Sequence, residues 1–234
     1  MGAIYRREMY AFFTSGLAYV FLSVYFLFSG YFFYAGSLAS ATTDTSAMFG
    51  ALFLVVLFLI PILTMRLLSE EKKNKTDQGL LTAPVGLWSI VLGKYLAAFT
   101  LFVIAESIVF IYAMFLSYFG TVTWSTLLGN YFAMLLLGAA FIAVGTFISS
   151  LTENQMASAV ASFLALMLLY MIDSIGSNIS VEFIQKLFTS LSFYSRYIEF
   201  TMGLFNLSSV VFYISAAFLF NFFTVRVLEK RRWS

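Results

Sequence analysis

Side chains that could do covalent chemistry are scarce in this sequence. Histidine and cysteine are absent, and this excludes thiolate nucleophiles, a Ser-His-Asp triad and the usual zinc ligands. Many of the ionisable residues that remain are concentrated in a segment starting at Arg66, whereas Glu106 lies alone in a long apolar run. The sequence therefore predicts no catalytic residue, no metal site and no cofactor bound by this chain. It favours a function based on binding or transport.

The composition is that of an integral membrane protein. Hydrophobic residues make up 62% of the 234 residues and charged residues 10%, whereas a soluble domain has about 45–50% and about 25%. The net charge is only +2, and without a dense basic face it argues against nucleic-acid binding. We therefore expect membrane lipids, and no nucleic acid, around the chain.

Long uncharged runs predict an all-α fold with six membrane-spanning helices. A helix needs roughly 20 mostly apolar residues to cross the hydrocarbon core, whereas the strands of a β-barrel would alternate apolar and polar residues. The runs here are continuous, which favours helices. We expect a single transmembrane domain over residues 1–234, with spans at about 17–36, 48–65, 95–119, 127–149, 156–172 and 207–225.

The basic residues predict the orientation of these spans. Six spans place both termini on one side, together with the loops after the second and fourth spans. Of the 13 lysines and arginines, only Lys186 and Arg196 then lie on the other side. Because cytoplasmic loops carry the excess of basic residues, we expect both termini in the cytoplasm and the protein in the cell inner or plasma membrane.

The N-terminal segment 3–15 has the pattern of a short amphipathic helix. Apolar side chains recur at helical spacing on one side, Arg6 and Arg7 lie on the other, and Ser15-Gly16 interrupts the helix. A basic amphipathic helix of this kind lies in the membrane interface. Two interpretations stay open: an interfacial helix with a role of its own, and an anchor that only fixes the topology.

The loop 66–94 carries much of the charge of the chain and predicts a docking surface. Good helix formers run to Lys73, and the residues that follow favour a break. The second helix should therefore extend beyond the membrane, turn, form a short helix and return. A partner would bury an apolar leucine pair and use the charges to set the register, whereas in the alternative interpretation the lysines only orient the chain. The candidate docking residues are Arg66, Glu70, Glu71, Lys72, Lys73, Thr76, Leu80 and Leu81.

Glu106 is the one charge deep in a predicted span. An intramembrane carboxylate is energetically costly and is a functional hypothesis by default. It would either line a translocation path or hydrogen-bond to a neighbouring helix and hold the two together. Both interpretations stay open.

The segment 173–206, on the side opposite the termini, has a different pattern. Within it, residues 181–203 are half apolar and carry spaced charges, so they are too polar to span the membrane. We expect one or two short re-entrant helices that enter the outer part of the bilayer.

The charged loop resembles the signature loop of a known family, the type 2 ABC permeases. The resemblance is carried by Arg66-Leu67-Leu68-Ser69-Glu70-Glu71-Lys72-Lys73, Thr76, Leu80-Leu81-Thr82-Ala83-Pro84-Val85 and Gly93-Lys94. Asp77 or Gln78 stands where the family usually has glutamate. The amphipathic start, Leu17-Ala18-Tyr19-Val20 and Ser29-Gly30-Tyr31-Phe32 are similar to the subgroup that includes gliding-motility and copper-enzyme-maturation permeases. The resemblance covers the whole chain, but only the loop motif is fairly specific.

This resemblance implies a function and partners. Such proteins are the membrane subunits of ATP-driven exporters, in which two six-helix subunits pair and each rests on a cytosolic ATPase. The segment around Glu70–Leu81 would contain the coupling helix that contacts the ATPase, and ATP and Mg²⁺ would bind to that other chain. Gly93-Lys94 is followed by Tyr95 and is not a phosphate-binding loop. An ion-gradient-driven transporter and a non-transporting membrane anchor stay open as alternatives.

Overall fold

The structure is a computed structural model that describes residues 1–76, 79, 85–177 and 190–232. Most of these residues are helical, and no strand occurs among them. A π-helical turn, Tyr34–Leu38, extends the second helix. The α-helices of the described residues are α1 Gly2–Thr14, α2 Leu17–Phe33, α3 Ser46–Thr64, α4 Ser69–Lys73, α5 Leu87–Glu106, α6 Ile108–Leu116, α7 Trp124–Leu151, α8 Gln155–Ser177, α9 Phe193–Thr201 and α10 Leu207–Arg232.

Six helical units within the described residues are long and apolar enough to cross a membrane, as the sequence predicts. The chain is therefore a multi-pass helical membrane protein. We call the end of the bundle that carries Arg7, Lys72 and Arg231 the basic end. The units are span 1 Leu17–Leu38, span 2 Ser46–Lys73, span 3 Leu87–Leu116, span 4 Trp124–Leu151, span 5 Gln155–Ile172 and span 6 Leu207–Arg232.

Span 4 is the centre of the bundle. It contacts spans 2, 3, 5 and 6 and the short helix α9, and most of its residues are buried within the protein. Span 2 is also mostly buried, whereas less than a third of the residues in the apolar parts of spans 1, 5 and 6 are buried. Exposed apolar faces of this kind are expected where helices contact lipid tails, which are as apolar as leucine.

Two glycines let span 4 approach its neighbours closely. A Cβ atom at Gly138 would overlap the ring of Phe102 in span 3, and a Cβ atom at Gly145 would overlap the side chain of Thr64 in span 2. Small residues at helix contacts allow backbones in membranes to come close together. Gly129, in the same helix, has no neighbour within 4 Å of the corresponding position.

The N-terminal helix α1 lies against the beginning of span 3. A Cβ atom at Gly93 would be 3.0 Å from Ile4 Cγ2, and the Tyr5 hydroxyl donates to Thr100 Oγ1 at 3.1 Å. The chain then turns into span 1 at Gly16, whose φ of +76° lies in the left-handed region that favours glycine. Close packing over Gly93 therefore fixes α1 on span 3.

Span 3 begins earlier than the apolar run indicates. Helix α5 starts at Leu87 and not near Tyr95, and Gly86 is its N-cap residue. Lys94 consequently lies about two turns within the helix instead of at its start, because its charge is paired inside the protein and does not need water.

Span 3 is also interrupted, which the sequence does not predict. Helix α5 ends at Glu106 and α6 begins at Ile108. At the break, the N–H and the hydroxyl of Ser107 both donate to the Val103 carbonyl, at 3.0 and 2.7 Å. A serine hydroxyl that bonds back to the preceding turn often bends a helix.

Parts of two predicted segments lie outside the described residues. These are residues 77–78 and 80–84 of the charged loop and residues 178–189 of the predicted re-entrant segment. Within the remainder of the latter segment, α9 is a short helix that contacts spans 2, 4 and 5. Its N-cap Ser192 accepts a hydrogen bond from the Ser195 N–H at 3.1 Å.

We expect Gly138→Ala to destabilise the bundle. The added methyl group would meet the buried Phe102 ring, and overpacking of this kind costs typically about 1–3 kcal/mol. The measurement is the thermal unfolding midpoint of the purified protein in detergent, with Gly129→Ala as the control. Equal midpoints for the two variants would contradict the close contact between spans 3 and 4.

Candidate functional site

Lys94 is the centre of a buried ion-pair cluster at the basic end. Its side chain is 1% exposed, and Nζ lies 2.9 Å from Glu8 Oε1 and 3.0 Å from Glu71 Oε1. Arg7 Nη2 lies 2.7 Å from Glu8 Oε1 and also pairs with Glu71. Glu8 belongs to α1 and Glu71 to α4, so one ammonium group joins the N-terminal helix, the end of span 2 and the beginning of span 3.

The amphipathic pattern of α1 brings Glu8 into this cluster. Ile4, Glu8 and Phe12 are four residues apart and therefore lie on the same side of the helix. This is the side that packs on the rest of the protein, where Phe12 is buried. Glu8 is thus a carboxylate on an otherwise apolar face, opposite Lys94.

Charge pairing keeps Glu8 ionised although it is largely buried. Burial alone would raise the pKa of Glu8, but the Lys94 ammonium and the Arg7 guanidinium together hold it below its ordinary value of 4.5. Because the pKa is lower in the folded state, the carboxylate stabilises the fold above about pH 4.5. That contribution is lost as the pH falls through the lowered value.

Arg66 joins the cluster region to the turn after α1. Its Nε lies 2.8 Å from Glu70 Oε2, one turn further along the chain. Its Nη1 donates to Ser15 Oγ at 2.6 Å. Arg66 therefore connects the last part of span 2 to the turn before span 1.

Lys72 connects α4 to spans 4 and 6. Its Nζ donates to the Leu151 carbonyl at 3.3 Å and lies 3.7 Å from Glu153 Oε1. Arg231, near the end of span 6, lies 3.6 Å from the same Glu153 oxygen. Because Glu153 is 63% exposed, each of these outer pairs is worth at most about 1 kcal/mol.

From the last residue of α4 onward the chain presents its side chains to solvent. We call residues 73–76 the basic tip, since Lys73, Asn74, Lys75 and Thr76 are all exposed. Lys75 has a φ of +56°. The Thr76 N–H donates to the Glu71 carbonyl at 3.0 Å, and its hydroxyl donates to the same atom at 3.3 Å. These bonds close the end of α4, so the tip follows directly on a helix whose position is fixed.

The structure divides the polar and charged residues that the sequence singles out into two groups. Those that pair within the protein are Arg7, Arg66, Glu70, Glu71 and Lys72. Those that are exposed are Arg6, Lys73 and Thr76. Leu80 and Leu81 lie outside the described residues.

Sequence reasoning missed Glu8 as a partner of Lys94. A signal was present, because a lysine between Gly93 and Tyr95 at the start of an apolar run needs a carboxylate once it is buried. Glu8 is the only carboxylate in the first 40 residues. What the sequence does not reveal is that Lys94 is buried, since this depends on α1 covering it.

Glu106 lies deep inside the protein and is 0% exposed. The hydroxyl of Tyr25, also fully buried, donates to Glu106 Oε2. Glu106 Oε1 has no hydrogen-bond partner among the described residues. The pair joins span 1 to span 3 beside the interruption at Ser107, and the charged cluster at the basic end does not include it.

The arrangement ties α4 to several other parts of the bundle. Within the part of the chain that the structure describes, no three acidic side chains come together in a way that could hold a metal ion. The ion pairs hold α4, and through it the basic tip, against α1 and spans 3, 4 and 6.

Residues 3–225 match the family described as ABC-2 family transporter protein. The chain belongs to this family. An ABC-2 permease is the membrane subunit of an ABC transporter and generally partners with an ATPase subunit. The matched range includes the charged cluster, the basic tip and nearly all of the six spans. No curated protein matches the sequence.

We expect Lys94→Met to destabilise this ABC-2 permease strongly. Removing one partner of a buried ion pair leaves uncompensated charge and costs about 3–5 kcal/mol. The measurement is the free energy of unfolding in detergent micelles, with Lys230→Met, an exposed lysine at the same end, as the control.

A double variant separates loss of the ion pair from loss of packing. Lys94→Met combined with Glu8→Gln should be more stable than the sum of the two single changes predicts, because the pair is removed as a unit. Strict additivity, or a Lys94→Met variant as stable as Lys230→Met, would contradict the proposed pairing.

Proposed function

We propose that this ABC-2 permease is the membrane subunit of an ATP-driven exporter and that the basic tip docks on a separate ATPase. The observation that supports this best is the anchoring of the tip. Its exposed side chains follow directly on α4, and Glu71 and Lys72 of that helix pair with α1 and span 3 and with Glu153 after span 4. A partner that pushes on the tip would therefore move several helices together.

The proposed cycle requires only binding and mechanical steps in this chain. ATP and Mg²⁺ would bind to the ATPase, whose closure would push on α4. The cluster around Lys94 would pass the movement to α1, acting as an elbow, and to span 3. Hydrolysis would release the push and reset the bundle, so the permease is a two-state element that a distant ligand biases.

A second permease subunit would complete the membrane part. Spans 1, 5 and 6 expose continuous apolar faces, and these would contact lipid and a second copy or a related chain. We place the termini in the cytoplasm from the distribution of basic residues. The closer relationship to gliding-motility and copper-enzyme-maturation permeases stays a prediction from the sequence.

We further propose that Glu106 holds spans 1 and 3 together and does not contact substrate. Its burial within one protomer and its hydrogen bond from Tyr25 support this assignment. Polar side chains that hydrogen-bond between membrane helices act in this way. The competing assignment, a carboxylate that lines the translocation path, requires its charge to be accessible.

The docking proposal is tested by copurification with the product of any adjacent gene that encodes a Walker-A ATPase. Lys73→Glu combined with Lys75→Glu should weaken binding by about tenfold, since two exposed charge contacts worth about 0.2–1 kcal/mol each become repulsive. Lys230→Glu is the matched control, because it reverses an exposed lysine at the same end outside the tip. Turnover of ATP in lipid vesicles should fall together with binding.

The same experiment decides between the alternatives. If the ATPase binds the wild-type chain and the tip variant equally well, docking at the tip is wrong. If no ATPase binds and solute moves instead on a proton or sodium gradient, the chain is a secondary transporter. If the ATPase binds but ATP drives no transport, the chain is a membrane anchor.

The Glu106 proposal predicts different effects for two substitutions. Glu106→Gln keeps an oxygen that accepts the Tyr25 hydrogen bond, so we expect nearly unchanged stability and transport-coupled ATP turnover. Glu106→Leu leaves the Tyr25 hydroxyl unpaired in a buried site, which costs about 1–3 kcal/mol. Unfolding midpoints and ATP turnover in vesicles check both. Loss of turnover in Glu106→Gln at unchanged stability would favour the translocation-path role.

A further inference from the structure

Ser149 of span 4 lies against the joint between α3 and α4. Helix α3 ends at Thr64 and α4 begins at Ser69, with a turn between them. The N–H groups of Leu68 and Ser69 donate to Ser149 Oγ at 3.1 and 3.2 Å. The Ser149 hydroxyl in turn donates to the Met65 carbonyl at 3.1 Å. Ser149 is fully buried.

The Ser149 hydroxyl thus replaces the hydrogen bonds that the break removes from the N–H groups of Leu68 and Ser69, and it shares the Met65 carbonyl with the hydroxyl of Ser69. In a continuous helix the N–H groups of Leu68 and Ser69 would donate to the carbonyls four residues earlier. Helix ends leave such groups without intrahelical partners. A serine hydroxyl has one donor and two acceptor sites, and Ser149 uses all three on this joint. Its side chain therefore caps both helix ends from a different helix.

Packing around the joint fixes its position on span 4. Gly145 lies one turn before Ser149 on the same side of the helix. A Cβ atom there would overlap the side chain of Thr64, the last residue of α3. The absence of a side chain at residue 145 lets the end of α3 approach closely, and the hydroxyl at residue 149 then reaches the backbone of the joint.

We propose that Ser149 is the positioning residue that makes α4 and span 4 move as one body, an inference that rests on the proposed function of the basic tip. Span 4 contacts spans 2, 3, 5 and 6, so movement that reaches it is distributed to the whole bundle. Without the capping hydroxyl, the joint would lose its partner on span 4 and α4 would be held by its ion pairs and the Lys72 bond to the Leu151 carbonyl alone. Part of a push on the tip would then be absorbed at the joint.

The test measures the joint directly in the permease alone. The chain contains no cysteine, so spin labels can be attached at Lys73→Cys in α4 and Leu128→Cys near the far end of span 4, both exposed positions. Leu128 and Ser149 are roughly 30 Å apart along the helix. A separation of this size can be measured by double electron–electron resonance. We expect a narrow distance distribution in the labelled parent and a broad one after Ser149→Ala.

Ser150→Ala is the matched control. Ser150 is the next buried serine, but its hydroxyl donates at 2.6 Å to the Phe147 carbonyl of its own helix. Removing it should leave the distance distribution narrow. If Ser149→Ala cannot be purified, Gly145→Ala tests the same joint from the other side and should shift the mean distance, whereas Gly129→Ala should not.

A second experiment measures function in the permease assembled with its ATPase. Ser149→Ala should leave ATPase binding intact but lower permease-dependent ATP turnover by about 2- to 30-fold, the range for residues that couple two sites. An unchanged distance distribution, or full turnover despite a broad one, would overturn the inference. If the unmodified chain binds no ATPase, the proposed function fails, and the label distances alone decide whether Ser149 fixes the joint.

Discussion

A positive charge inside a bundle of membrane helices has to be paired, and the basic end of this protein is built around that requirement. Lys94 is 1% exposed, and withdrawing an ammonium group from water costs several kcal/mol unless opposite charges and hydrogen bonds replace the water. Glu8 and Glu71 provide the charges from two segments that are far apart in sequence. Helices α1 and α4 must therefore meet at span 3, and the position of the basic tip follows from this meeting.

The same requirement governs the backbone wherever a span is interrupted. Unpaired N–H and carbonyl groups in a membrane protein are costly because no water is available to bind them. At the joint after α3, Ser149 of span 4 satisfies three such groups. At the break in span 3, Ser107 bonds back to Val103. The interruptions are thus joints with defined partners, one linked to the central helix of the bundle and one beside the Tyr25–Glu106 pair.

The sequence predicts the spans well and the pairing of charges poorly. Apolar runs predict six spans because hydrophobicity is a local property. The same runs predict that span 3 starts near Tyr95, since a lysine is usually exposed to solvent. The helix starts at Leu87 because Lys94 is paired inside. Likewise the sequence predicts one docking surface among the charged residues that follow the predicted second span. In the structure Glu71 and Lys72 pair within the protein, whereas Lys73 and Lys75 of the basic tip are exposed. Docking itself stays a prediction.

The sequence by itself determined the helical class, the six spans and the lack of residues for covalent chemistry. These follow from composition and from the thickness of a bilayer, which act on each segment separately. Only the tertiary structure decided that Glu8 faces Lys94, that Tyr25 bonds to Glu106, and that Ser149 caps the joint of span 2. Each of these contacts joins residues about 80 or more positions apart, and their geometry depends on how the helices pack side by side.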